Sequence, residues 1–173
     1  MELNKTVRWL LLMVSLITVS ACSVSLTFNG ASIDYTKVKT ISVADFNNVA
    51  ELIHPPLAQE FSERVRDKYA KQTRLRVLKS GGDLQLEGEI TAYTLTPMAV
   101  GQDAYAAETK LTLTVNVRFV NTKNPEENFE DKQYTAFRTF DSNLMITDVQ
   151  DQLLAEMTED IADNIYNDTV ARW

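Results

Sequence analysis

One thiol, one imidazole, a few carboxylates on a shared strand face and one run of cations are the side chains in this 173-residue sequence that could do chemistry. The thiol is Cys22, the only cysteine, so a disulfide within the sequence and a thiolate zinc site are both excluded. It closes an apolar run, Trp9 to Val19, and follows two small residues, Ser20 and Ala21. A thiol in that position suits alkylation by a diacylglycerol. The small residues admit a peptidase, and cleavage leaves Cys22 as a new N-terminus open to acylation. His54, the only histidine, precedes Pro55-Pro56 and is expected to be exposed at a helix entrance. A base there needs a nucleophile held beside it, and the sequence offers no Gly-x-Ser-x-Gly elbow and no phosphate-cradling Gly loop. Asp83, Glu87 and Glu89 alternate along one segment. That spacing can serve acid–base work or calcium, but it equally describes the solvated face of a half-exposed sheet, which is the reading adopted. Asp148 and Asp151 fall in the first turn of a helix, where the dipole favours negative charge without any site. No catalytic residue and no metal ligand set is assigned.

The cations Lys68, Lys71, Arg74, Arg76 and Lys79 are concentrated in one short stretch. Arg74 and Arg76, two apart on a strand, share a face, and with Lys79 they are candidate contacts for an anion such as a lipid phosphate. The plainer alternative is a charged sheet edge that discourages aggregation. The rest of the charge points away from polyanions. The formal charge is −7, and the first 21 residues carry a net +1, so the remainder is near −8. Nucleic acid, which needs a basic footprint, is not an expected partner.

Residues 1–21 read as a signal peptide. Val19-Ser20-Ala21-Cys22 resembles the lipobox of bacterial lipoproteins, and Ser23 favours the outer membrane under the enterobacterial sorting rule. The expected modification is a diacylglycerol plus an N-acyl chain, such as palmitate, on Cys22; two or three chains anchor stably where one does not. Residues 22–36 read as a lipidated tether and 37–173 as a single domain.

The elements that must carry these residues follow from periodicity. A first strand is expected over Val38 to Phe46, broken by Asn47-Asn48. Pro55-Pro56 opens a helix to about Gln72, with Leu57, Phe61, Val65 and Tyr69 as its stripe. Arg74 to Leu78 is a short strand that Gly81-Gly82 turns into a longer one, Asp83 to Leu95, with Leu84, Leu86, Ile90 and Ala92 on one face. Pro97 to Ala107 reads as a loop. Thr109 to Val120 alternates without a break: Leu111, Leu113, Val115, Val117 and Phe119 against Lys110, Thr112, Thr114, Asn116 and Arg118. The Asn124–Asn128 loop returns the chain through Phe129 to Phe140. A last helix runs to about Val170, its start marked by a capping box, Thr147-Asp148-Val149-Gln150. The order β-α-β-β-β-β-α, with short turns between neighbours, predicts an α+β two-layer sandwich. Its sheet is mostly antiparallel, with four strands and room for a short fifth, and both helices pack on one face.

Several segments are similar to one family. Lys39-Thr40-Ile41-Ser42-Val43-Ala44-Asp45-Phe46, Gln72-Thr73-Arg74-Leu75, Gly82-Asp83-Leu84-Gln85-Leu86-Glu87-Gly88-Glu89-Ile90-Thr91-Ala92-Tyr93, Thr96-Pro97-Met98-Ala99, Leu111-Thr112-Leu113-Thr114-Val115-Asn116-Val117 and Val170-Ala171-Arg172-Trp173 resemble, in this order, the LptE lipoproteins of lipopolysaccharide assembly in their Bacteroidetes form. The resemblance implies a non-enzymatic outer-membrane lipoprotein that sits in the LptD β-barrel as plug and assembly partner, with lipopolysaccharide as cargo. It also implies two helices on a four-stranded sheet. Only Cys22 is carried over as a family residue; Arg74, Arg76 and Lys79 stand as candidate lipopolysaccharide contacts on their charge alone. The alternative is an accessory or binding lipoprotein of another envelope transport or assembly machine.

Overall fold

The structure is a computed structural model and describes residues 33–52, 54–98 and 108–171. Strands β1 (Thr40–Val43) and β2 (Asn47–Asn48) lead to helix α1 (Leu57–Gln72) and strand β3 (Arg76–Leu78). Strands β4 (Leu84–Met98), β5 (Glu108–Asn121) and β6 (Phe129–Asp141) follow, with a single 3-10 turn at Pro125–Glu127 before β6, and helix α2 (Ile146–Thr169) closes the order. The sheet runs β3-β1-β4-β5-β6, with β2 alongside β4. Both helices lie on one face, α1 over β1, β2 and β3 and α2 over β5 and β6, and they touch each other. The expected two-layer α+β sandwich is therefore observed.

Local pattern accounts for most of it. On β5, Leu111, Leu113, Val115, Val117 and Phe119 are buried to 1% exposure or less, the alternation a sheet with one covered face requires. The α1 stripe Leu57, Phe61, Val65 and Tyr69 is buried in the same core. From α2 the buried residues include Leu154, Met157, Ile161 and Ile165, near a 3.6-residue period. Phe46 lies edge-on to Phe61, ring centroids 4.8 Å apart. Salt bridges then fix the helices. Buried Lys68 of α1 reaches Glu159, at 2.5 Å, and Asp163 of α2. Lys132 and Arg138 of β6 hold Asp168 at 2.7 Å and Glu156 at 2.9 Å on α2.

The sheet departs from expectation on one side. It is mixed, with six strands. β4, β5 and β6 form the antiparallel meander, but β3 and β4 do not pair with each other; both pair parallel with β1, which lies between them. Ser42 is opposite Leu78 on one side, and Ile41 is opposite Leu84 on the other. Gly81-Gly82 is therefore not a hairpin turn: the five residues from Lys79 to Asp83 step across the face of β1. A Cβ on Gly82 would lie 2.5 Å from the Ser42 amide nitrogen, 2.6 Å from the Leu84 carbonyl oxygen and 2.7 Å from the Ile41 carbonyl carbon. The crossing is possible because that atom is absent.

Three smaller corrections share a cause, a partner that local reading does not see. Asn47-Asn48 does not simply end β1; it pairs with Glu89 and Ile90 as β2. A bulge between Ile90 and Ala92 resets the phase of β4, so Tyr93, not Ala92, takes the core face, and the strand continues to Met98. The capping box does not form. Helix α2 begins at Ile146 behind Met145 with no side-chain cap. The Gln150 side chain instead accepts from the Tyr93 hydroxyl at 3.0 Å and donates to His54 Nδ1 at 2.9 Å.

Asp83 knits the end of the sheet where the described chain begins. Its carboxylate accepts from the Lys39 amide at 2.9 Å and from the Thr40 amide and hydroxyl at 3.1 and 2.9 Å, and it pairs with Lys123 at 3.2 Å. The Lys39 amide first, then the Thr40 hydroxyl and Lys123, hold this carboxyl far below the usual aspartate value of 3.8. A depressed pKa gives stability that is complete above the ordinary value and is lost as pH falls through the depressed one. Asp83→Asn is expected to cost about 1–2 kcal/mol at pH 7. It should also flatten the loss of stability below pH ~4, measured by urea unfolding across pH.

Candidate functional site

Among the described residues, no layer covers the face of the sheet away from the helices. Because Tyr93, Leu113 and Ala136 align across β4, β5 and β6 on the buried side, their neighbours Thr94, Thr112 and Phe137 align on the open side. This face divides in two. The half nearer the described N-terminus is charged: Glu87 pairs with Arg118 at 2.7 Å, and Glu89, Glu130 and Asp131 stand around them. The far half is nearly neutral. It carries Ala92, Thr94, Thr96 and Met98 on β4, Lys110, Thr112 and Thr114 on β5, and Thr135, Phe137 and Thr139 on β6, with Glu108 and Asp141 at the rim. Phe137 is 55% exposed, and Lys110 Nζ sits 4.4 Å from its ring centroid.

The second feature is the β3 edge. Three of the 17 Lys and Arg residues, Lys5, Arg8 and Arg172, lie outside the described ones. Nine of the remaining 14 form ion pairs, and Lys110 is over Phe137. The four left, Lys39, Arg74, Arg76 and Lys79, are exposed and have no ion pair among the described residues; Lys79 acts on Asp45 only at a distance. All four lie on or beside the β1–β3 edge, since Arg76 is opposite Thr40 and its amide donates to the Lys39 carbonyl at 3.0 Å. The expected basic concentration thus splits. Lys68 is buried between Glu159 and Asp163 and is not available to an anion, and Lys71 is exposed but pairs with Asp67 at 2.8 Å. Lys39 joins instead. It lies 35 residues before Arg74 in the sequence, and only the parallel β1–β3 pairing brings it there.

The remaining expected sites resolve into structure. His54 is not exposed: its side chain is 17% accessible and accepts from Gln150. Asp83 and Glu87 have the partners already named. Among the described residues no group of three or more His, Cys, Asp or Glu side chains is arranged to hold a metal ion. Cys22 lies outside the described residues.

The sequence model of the LptE family, described as lipopolysaccharide-assembly, matches residues 38–169, from the first core residue to the end of α2. The chain belongs to the LptE family. Among solved structures it is similar to the rare lipoprotein B from Shewanella oneidensis, at 14% identity over 74% of this chain and 92% of that one, with a TM-score of 0.50. It is also similar to the hypothetical protein CT253 from Chlamydia trachomatis, at 11% identity over 78% and 99%, with a TM-score of 0.53. These two likenesses carry the fold alone. No curated protein matches the sequence. In this LptE-family chain the matched segment contains the whole open face of the sheet and the whole basic edge, so both features belong to the family domain and not to an appendage.

Proposed function

We propose that this chain is a lipid-anchored, non-enzymatic outer-membrane lipoprotein. In this reading it plugs and helps mature an LptD-type β-barrel that delivers lipopolysaccharide to the cell surface. The observation that carries it is the family match over the entire folded domain. The open sheet face agrees with it: its hydroxyl and amide side chains suit a barrel lumen, which is polar inside. Residues 1–21 are its signal peptide, Cys22 is its attachment point, and 22–36 is its tether to the domain 37–173.

The test is co-purification of the full-length protein from its own membranes. A large β-barrel recovered in about equal amount, with reduced surface lipopolysaccharide on depletion, is the expected result. Recovery of an inner-membrane transporter instead would favour the alternative, an accessory lipoprotein of another envelope machine.

Arg74, Arg76 and Lys79 are our proposed contacts to lipopolysaccharide phosphates, with Lys39 beside them. A guanidinium left without an acid in an acidic protein has free donors that a phosphate fills. Arg74→Glu with Arg76→Glu is expected to weaken lipopolysaccharide binding at least ~10-fold, equivalent to about 1.4 kcal/mol. The wild-type affinity should also fall as salt is raised. Unchanged affinity in a fluorescence titration would return these residues to the role of a charged sheet edge.

A further inference from the structure

We infer that the far half of the open sheet face, centred on Phe137, is the surface the partner barrel covers. This rests on the functional reading above and adds to it which side of the domain makes the contact. Six large apolar side chains are exposed among the described residues, and four of them, Met98, Phe137, Leu144 and Met145, lie on this half-face or at the adjoining end. Phe137 is the one aromatic of the six. Phe137 and Met98 stand in a patch otherwise made mostly of threonines, and its depletion of charge with an exposed aromatic and a Met is what it shares with an interface core.

Charge selects the kind of occupant. Between the rim acids Glu108 and Asp141 and the charged half around Glu87 and Glu89, the patch holds one cation, Lys110, folded onto the Phe137 ring. A surface that meets it is therefore close to uncharged. An anionic lipid surface fits poorly, since it would be approached by a chain of net charge −7 with a single cation in the contact.

Area decides against a second copy. Three strands about 4.8 Å apart and seven residues of roughly 3.4 Å each give a patch of about 350 Å² in plan. A stable dimer needs about 800 Å² on each partner. The patch suffices only as one part of a larger contact, supplied by a partner that wraps more than one side of the domain.

Position agrees with this. The described chain enters at Ile33, near Leu84 and Asn121. The patch lies towards the other end of β5, a strand of 14 residues and so roughly 45 Å long.

The test uses the full-length lipidated protein in its own membranes. A benzophenone photoprobe is placed at Phe137 or Thr112 and, as a control, at Glu63 on the outer side of α1. Phe137→Glu is examined in parallel. The probes at 137 and 112 should crosslink to the barrel that co-purifies with the wild type, at several-fold higher yield than the probe at 63. Phe137→Glu should reduce barrel recovery about 10-fold with an unchanged melting temperature, because the side chain is exposed. Undiminished barrel recovery with Phe137→Glu, or crosslinks to lipid in place of protein, would overturn the surface and leave the plug reading standing. A wild-type protein that brings down no barrel would overturn both.

Discussion

Gly82→Ala is expected to cost this domain about 3 kcal/mol or more, whereas Gly81→Ala costs only about 1. The added Cβ at Gly82 would lie 2.5–2.7 Å from three backbone atoms of Ser42, Leu84 and Ile41. No rotamer change relieves backbone. The crossing loop must lift off β1, which loosens the Gly82 amide from the Ser42 hydroxyl at 3.3 Å and disturbs two parallel ladders together. Overpacking a core ordinarily costs about 1–3 kcal/mol, with flexible side chains absorbing part of it; here none is available, so the upper end applies. Gly81 has φ of +72° and open space around its Cβ position, so its substitution is charged only for the left-handed conformation. A hairpin turn would give the opposite ranking, with the positive-φ glycine the more sensitive. Thermal melts of the two variants decide between them. The expected fall is on the order of 10 °C for Gly82→Ala and a few degrees for Gly81→Ala. Equal small losses would mean that the chain does not cross β1 so closely.

The same contrast explains what the sequence discloses and what it withholds. β5 is legible because its period of two is unbroken over Leu111 to Phe119 and a central strand has one buried face. α1 is legible because Leu57, Phe61, Val65 and Tyr69 make a stripe between two prolines and an extended Thr73. What hides is whatever depends on a partner far along the chain. The β1–β3 ladder joins residues 36 apart, and neither Thr40-Ile41-Ser42 nor Arg76-Val77-Leu78 carries a mark of parallel pairing. A bulge of one residue after Ile90 exchanges the faces of the rest of β4, and its local composition is ordinary strand. The candidate site divides in the same way. Arg74 and Arg76 are visible as a pair because they are neighbours. Lys39 is not, and Lys68 looks like an available cation until α2 brings Glu159 and Asp163 over it. Phe137 was readable as a strand residue, but its exposure depends on the phase of β6 against β5, where Thr112 lies opposite.

Cys22→Ser is expected to move the protein from the membrane fraction to the soluble one, the largest effect any single substitution here should have. Each buried methylene contributes about 0.8 kcal/mol of membrane affinity, so one acyl chain binds marginally and two or three bind in effect permanently. Among the described residues nothing can replace them. No helix among the described residues is long and apolar enough to cross a membrane, and a net charge of −7 is repelled by anionic headgroups. In the proposed reading two forces hold the wild type at the membrane, acyl chains on Cys22 and a barrel partner, and a wash with alkaline carbonate separates them by stripping protein contacts while leaving acyl anchors in place. After that wash the wild type should remain with the pellet and Cys22→Ser should be released, with its melting temperature unchanged because Cys22 precedes the matched domain by 16 residues. Before the wash, some Cys22→Ser protein should stay behind in proportion to the barrel present. The 11 residues from Cys22 to Ile33 can extend at most about 38 Å, which bounds how far the domain can stand from an anchor at Cys22. A wild-type N-terminal peptide whose mass shows no acyl chains would remove the anchor and leave the outer-membrane reading on the family match alone.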